Sequence, residues 1–329
     1  MTPTPDWLRS RPFDLVLIVG VLVLALVLGG VALLDPALFM TVLFFDLWLL
    51  AYPHVASTYT RVAFDRTSAR RHWFLLAALP PLVLVGTAAV GFWGGVVALA
   101  SLYFYWQTWH YTRQSFGIAR AYHRNAGATG DDRLTDAVIY GFPLWGVLSR
   151  AHQQQPEFYA MELWSPPVPW IAVALVGAAT VTAFAAWVWR ATRRPQSRGY
   201  TLFVLSHVII TAVSYLLIAD ITQGWLFINV WHNAQYLLFV WAINARQFRG
   251  GVDPARRFLS RLCQPEHVAR YALVCLALGG GFYFMLGEAT GRSDWQILPI
   301  ALVTHLAVNF HHYLVDAVIW KSGRTPRAA

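Results

Sequence analysis

The sequence predicts an all-α, polytopic transmembrane bundle of about ten spans, forming a single integral membrane domain over residues 1–329. Three observations predict it. Hydrophobic residues make up 57% of the chain and charged residues only 12%, about half of the roughly 25% charged residues in an ordinary soluble domain. Apolar stretches of about 20 residues, the length a helix needs to cross a bilayer, recur along the whole chain. The basic residues, all Arg except Lys321, sit almost entirely in short segments between those stretches. Disorder and a water-soluble enzyme are excluded by this composition. Two cysteines, Cys263 and Cys275, cannot build a disulfide framework and show no metal-binding spacing.

In order, the expected spans are 13–34, 36–60, 72–92, 96–120, 135–150, 169–190, 200–220, 224–246, 268–287 and 296–321. The first follows Arg9 and Arg11, as a signal peptide would, but its apolar run is longer than a signal h-region and reads as a retained helix. The fifth is short and contains Gly141 and Pro143, so it is expected to tilt, kink or re-enter. The segment 151–168, rich in Trp, Tyr and Pro, is the longest non-helical piece and is expected at the membrane interface.

Charge supplies an internal check on this count. With both termini cytoplasmic, the inner segments hold Arg9 and Arg11; Arg61, Arg66, Arg70 and Arg71; Arg120, Arg124 and Arg133; Arg190, Arg193, Arg194 and Arg198; Arg246, Arg249, Arg256, Arg257, Arg261 and Arg270; and Lys321, Arg324 and Arg327. The outer loops keep only Arg150 and Arg292 beside Asp35, Glu157, Glu162, Asp220, Glu288 and Asp294. This is the positive-inside pattern. The net charge of +9 therefore reads as topology and contact with anionic lipid, with no nucleic-acid partner, and a multi-pass protein of the inner (plasma) membrane is expected.

An ionisable residue inside a span costs about 2.5–3.5 kcal/mol on insertion scales, so each one requires a reason. Span 2 carries Asp46 and, in AYPHVAST, His54; span 4 carries Gln107, His110, Arg113 and Gln114; span 7 carries His207; span 8 carries Asn229, His232, Gln235 and Tyr236; span 10 carries His305, Asn309, His311, His312 and Asp316. His305, Asn309, His312 and Asp316 fall on one helical stripe, with His311 rotated about 100° from it. At about 1.5 Å per residue, His54, His110, His207, His232, His311 and His312 lie roughly 10–21 Å from the inner boundary.

Depth-matched imidazoles on separate helices are what a metal site in a bundle requires, with Asn, Gln or Asp orienting the rings. His54, His110, His232 and His311 or His312 are the expected ligands. Asn229, Gln235, Asn309, His305 and Gln114 are candidate orienting partners. Asp316 either supports His312 or pairs with Arg113. A lone His207 or His305 reads as hydrogen-bonded glue between helices, while His72, His123, His152 and His267 are expected in solvent. With no thiolate and no intramembrane Glu, the set suits iron, copper or zinc. The HxxxH and HxxHH boxes of membrane di-iron desaturases are absent.

The order of these motifs resembles the Brp/Blh family of membrane carotene dioxygenases, which cleave β-carotene centrally to retinal. The resemblance rests on Pro53-His54, then His110, then His232 with Phe239-Val240-Trp241, and finally His311 followed by Asp316. It departs at Tyr236, where the family has a second His, and at Thr58, where it has an acidic residue. It implies non-haem Fe(II) held by His54, His110 and His232, with His311 or His312 as a fourth ligand or neighbour, and dioxygen as co-substrate.

The expected activity is a metal-dependent oxygenase acting on a lipid-soluble carotenoid or isoprenoid that enters from the bilayer. Trp106, Trp109, Trp231 and Phe310 would wall the pocket, Tyr236 would hydrogen-bond the oxygen species, and Asp316 would orient an imidazole. Two other functions use the same residues: two facing imidazoles ligating haem b in an oxidoreductase, and a proton-coupled transporter with a His/Asp relay.

Overall fold

The computed structural model describes residues 6–128, 130, 132–153, 156–194, 196–291 and 300–320. Among them the chain is helical almost throughout: α1 (Arg11–Leu34), α2 (Pro36–Thr60), α3 (Arg66–Arg71), α4 (Phe74–Asn125), α5 (Arg133–His152), α6 (Trp170–Arg193), α7 (Arg198–Leu217), α8 (Ile221–Gln247), α9 (Arg257–Leu262), α10 (Val268–Gly291) and α11 (Ile300–Ile319). Six of these, α1, α2, α4, α6, α7 and α10, are long and apolar enough to cross a membrane. Helices α5, α8 and α11 stand where further spans are expected, but their polar residues keep them out of that apolar class. Arg292, Asp294, Lys321, Arg324, Arg327 and the start of the expected tenth span lie outside the described residues.

Local chemistry sets the boundaries. Asp35 caps α2, its carboxylate accepting from Ala37 N–H at 3.1 Å, with Pro36 in the first turn. Asp132 caps α5 through Thr135 N–H at 3.1 Å, and Ser197 caps α7 through Tyr200 N–H at 3.3 Å. The expected third and fourth spans join into α4, interrupted at Gly95, whose φ of 68° lies in the region that favours glycine. The segment 151–168 contains a small hairpin, Glu157–Phe158 paired antiparallel with Met161–Glu162.

The chain divides into two compact units, each made of two stretches: Met1–Asp46 with Phe104–Tyr236, and Leu47–Tyr103 with Leu237–Ala329. In the first, α5 packs on α6 and α7. Small residues make these approaches close: a Cβ on Gly177 would stand 2.7 Å from the Trp145 ring, and one on Gly141 would stand 2.8 Å from Thr180 Oγ1. Asp14 is fully buried and accepts from the N–H groups of Leu8, Arg9 and Ser10 and from Tyr122 OH at 2.5 Å, which ties the start of α1 to α4. Asp132 is held by Arg190 at 2.8 and 2.7 Å and by Tyr200 OH at 2.9 Å. Burial alone would raise the Asp132 carboxyl, but these hydrogen bonds outweigh it and hold the group below the usual carboxylate range.

In the second unit α2 packs against α10 and α11. Its helix widens to a π-turn at Leu47–Ala51, immediately before Pro53 and His54. Gly279 of α10 lies against the backbone at this point. A Cβ there would collide with the Tyr52 carbonyl oxygen and come within 3.1 Å of Pro53 N.

Candidate metal centre

Within the second unit, α2 and α11 bring together His54, His312 and Asp316, all at most 3% exposed. His54 Nε2 lies 2.8 Å from His312 Nε2, with the rings inclined at 72°. His312 Nε2 lies 3.7 Å from Asp316 Oδ2, and ligand atoms of all three fall within 4.8 Å of one another. The i, i+4 spacing of His312 and Asp316 puts both on one face of α11. Thr58, one turn after His54, donates to Asp316 Oδ1 at 3.0 Å and leaves Oδ2 toward His312. A threonine hydroxyl thus binds the carboxylate that α11 supplies.

The donor set fits a metal ion. Metal–imidazole bonds of about 2.0–2.1 Å place two ligands at a right angle roughly 2.9 Å apart and two opposite ligands roughly 4.1 Å apart. The 2.8 Å between His54 and His312 matches adjacent positions on one ion. It is too short for the two axial ligands of a haem.

The neighbouring histidine has a different task. His311 accepts from or donates to Tyr59 OH at 2.6 Å through Nδ1, and its Nε2 lies 2.7 Å from the Leu75 carbonyl. A carbonyl only accepts, so Nε2 carries the proton and Nδ1 accepts from the tyrosine. The reason lies in α4: Leu79 N–H bonds back to Phe74 in a π-turn, and the next residue, Pro80, has no N–H to offer Leu75.

His207 repeats the pattern in the first unit. Its Nε2 lies 3.0 Å from the carbonyl of Ile139, four residues before Pro143, which lacks the N–H that would normally satisfy it. Both imidazoles replace a hydrogen bond that a proline removes. This is a specific form of the glue expected of His207.

His110 and His232 meet in the first unit, with ring centroids 5.2 Å apart. Gln114 Nε2 lies 3.1 Å from His110 Nε2, and the Tyr111 ring lies 3.9 Å from that of His232. Tyr236 is buried and stacks on His232 at 6.3 Å, with the planes 15° apart. Beside them runs a buried polar chain: Trp225 donates to Gln107 at 2.7 Å, Gln107 to Tyr111, Tyr111 to Asn229, and Asn229 to Asp46. Asn233 also donates to Asp46, at 3.4 Å. Asn229 thus serves Asp46 and Tyr111.

The other expected residues are placed as follows. Gln235 is buried at 2% exposure. Asn309 donates to the His305 carbonyl at 2.9 Å, and His305 lies against Tyr283 and Tyr52, which stack on each other at 3.9 Å. Arg113 donates to Tyr140, and Asp316 is engaged by Thr58 and His312 instead. Trp109 is 56% exposed, whereas Trp231 packs on Phe203 and His207 and donates to Ser206. Phe310 lies against Tyr103 at 6.4 Å. The Cys263 thiol is buried, and burial together with Cys275 pushes it up to about 12, leaving it neutral and a poor ligand. Sequence reasoning missed Tyr59, Tyr111 and Asn233, and gave Thr58 no role. Position one turn after His54 was the signal for Thr58.

Family models, curated proteins and solved structures yield no match to this chain.

Proposed function

We propose that this protein is a membrane metalloenzyme, a non-haem iron oxygenase acting on a lipid-soluble, isoprenoid-like substrate. The observation that carries the reading is the buried trio His54, His312 and Asp316, whose nitrogens stand 2.8 Å apart in the second unit. Two imidazoles and one carboxylate are a donor set that suits Fe(II) and leaves positions open for small molecules. A bound iron would supply redox chemistry with dioxygen as co-substrate.

The chain's own contributions follow from its geometry. His54 and His312 present Nε2 as neutral donors. Thr58 fixes the carboxylate of Asp316 so that one oxygen stays available. Burial of all three excludes bulk water from the centre. The stacked pair Tyr52 and Tyr283, with His305 beside it, offers flat aromatic surface near His54 of the kind a conjugated polyene packs against. The order of histidine motifs points to a carotenoid in particular.

The decisive experiment is anaerobic purification in detergent, with metal measured by mass spectrometry and an absorption spectrum. About one iron per chain without a Soret band is expected, falling to background in His54→Ala and His312→Ala. His110→Ala and His232→Ala test the two further ligands expected from the sequence. Iron retained in His54→Ala and His312→Ala overturns the assignment. Conversion of β-carotene by the loaded protein then tests the substrate.

The 2.8 Å separation also suits an N–H···N hydrogen bond between the two imidazoles, the basis of a second reading as a proton relay. Proton-coupled flux in proteoliposomes by protein that takes up no metal favours that reading.

A further inference from the structure

A guanidinium in an apolar span needs a counter-charge, and Arg113 of α4 has none among the described residues. Its contacts are the Tyr140 hydroxyl, to which it donates, and two ring faces, Phe116 at 4.8 Å and Trp109 at 5.9 Å. Arg120, two turns along the same helix, is paired with Asp136 at 2.6 Å. The difference matters because a charge within a membrane helix is costly until it meets an anion or reaches the interface.

The surroundings of Arg113 are those of a lipid-facing surface. Trp109 is 56% exposed, and Leu144, one turn after Tyr140 on α5, is 51% exposed. Seven residues separate Arg113 from Arg120, about 10 Å along a helix, so the long Arg113 side chain reaches the headgroup level that Arg120 and Arg124 mark. The hydroxyl of Tyr140 engages one terminal nitrogen, NH1. The rest of the planar donor fork remains for a tetrahedral oxyanion, which guanidinium binds in bidentate fashion. Arg124 and Arg133, both exposed, keep the adjoining surface positive.

We propose that Arg113, framed by Trp109, Phe116 and Tyr140, binds the phosphate of an anionic phospholipid whose acyl chains cover Trp109 and Leu144. The exposed aromatic and aliphatic flanks select a lipid over a soluble phosphate, since only a lipid brings apolar chains to the same place. Because Asp136 and Asp132 are taken up by Arg120 and Arg190, the exposed Arg124 and Arg133 leave positive charge at the adjoining end of α4 and α5, which favours an anionic headgroup over a zwitterionic one.

Native mass spectrometry of the full chain, released from detergent with added phosphatidylglycerol or phosphatidylcholine, tests this. The wild type is expected to retain phosphatidylglycerol preferentially, Arg113→Gln to lose that retention about tenfold, roughly the effect of removing one charge-assisted contact, and Arg249→Gln, at an exposed arginine the proposal does not use, to behave as wild type. A rise in melting temperature with phosphatidylglycerol, lost in Arg113→Gln and not reproduced by inorganic phosphate, is the parallel readout. Equal retention of the two lipids, undiminished retention in Arg113→Gln, an equal loss in Arg249→Gln, or equal protection by inorganic phosphate overturns the proposal. If Arg113→Gln does not accumulate, Tyr140→Phe takes its place. Retention reduced several-fold supports the proposal, and unchanged retention refutes it.

Discussion

Gly279→Ala probes how α10 seats the backbone that carries His54. The new Cβ would collide with the Tyr52 carbonyl oxygen and stand 2.5 Å from its carbon, where ordinary contact begins at 3.4 Å. The obstacle is main chain, so no rotamer change clears it, and the helices must part by about 1 Å. Overpacking of this kind costs up to about 3 kcal/mol, offset by the roughly 1 kcal/mol that Ala gains over Gly in a helix. A net loss of about 2 kcal/mol follows.

Gly281→Ala is the matched control. Nothing lies within 4 Å of its Cβ, so it keeps the gain of about 1 kcal/mol without the clash, and the two variants should differ by about 3 kcal/mol. Displacing Tyr52 moves His54, two residues on, by more than the roughly 0.2 Å that metal–ligand distances tolerate. The assay is equilibrium unfolding in detergent together with iron content. Gly279→Ala unfolding at or above Gly281→Ala, with full metal, would refute the reasoning.

Other perturbations separate the roles of individual residues. Thr58→Val removes the donor to Asp316 Oδ1 and should weaken metal binding by about 10–100-fold, measured by competition with a chelator. His207→Leu leaves the Ile139 carbonyl unmet and should cost about 1–3 kcal/mol of stability while iron content stays unchanged, which unfolding and metal analysis on one preparation will show. The depressed Asp132 carboxyl contributes stability that is present above the ordinary carboxylate value of about 3.9 and is lost as pH falls through its own lower value. Melting temperature followed from pH 7 downward should therefore hold nearly constant to about pH 4 in the wild type. Asp132→Asn should melt lower across that range and converge with the wild type only in stronger acid.

Much of this arrangement is legible in the sequence, and the exceptions have physical causes. Apolar run length places the helices, and the break between the third and fourth spans appears as the positive φ at Gly95. The helical stripe on α11 puts His312 with Asp316 and sets His311 apart, which is how they stand. Depth alone could not separate an imidazole that offers a lone pair from one that offers a proton to a carbonyl. Pro80 and Pro143 held that information, because each proline deprives a carbonyl one turn earlier of its donor. Pairing each proline with a distant histidine required the tertiary structure. Whether Asp316 supports His312 or pairs with Arg113 stayed open in the sequence for the same reason: Asp316 stands with Thr58 and His312, and Arg113 donates to the hydroxyl of Tyr140 on α5.

The two imidazole–carbonyl bonds also constrain the order in which the chain can be completed. The carbonyl of Leu75 enters early in synthesis, but the proton that satisfies it arrives with His311, 236 residues later. That of Ile139 waits 68 residues for His207. Until then each proline-broken helix carries an exposed polar group into an environment with no water to bind it. A chain ending before α11 would keep the first defect permanently, and a helix inserted one turn out of register would leave both an imidazole and a carbonyl unmet.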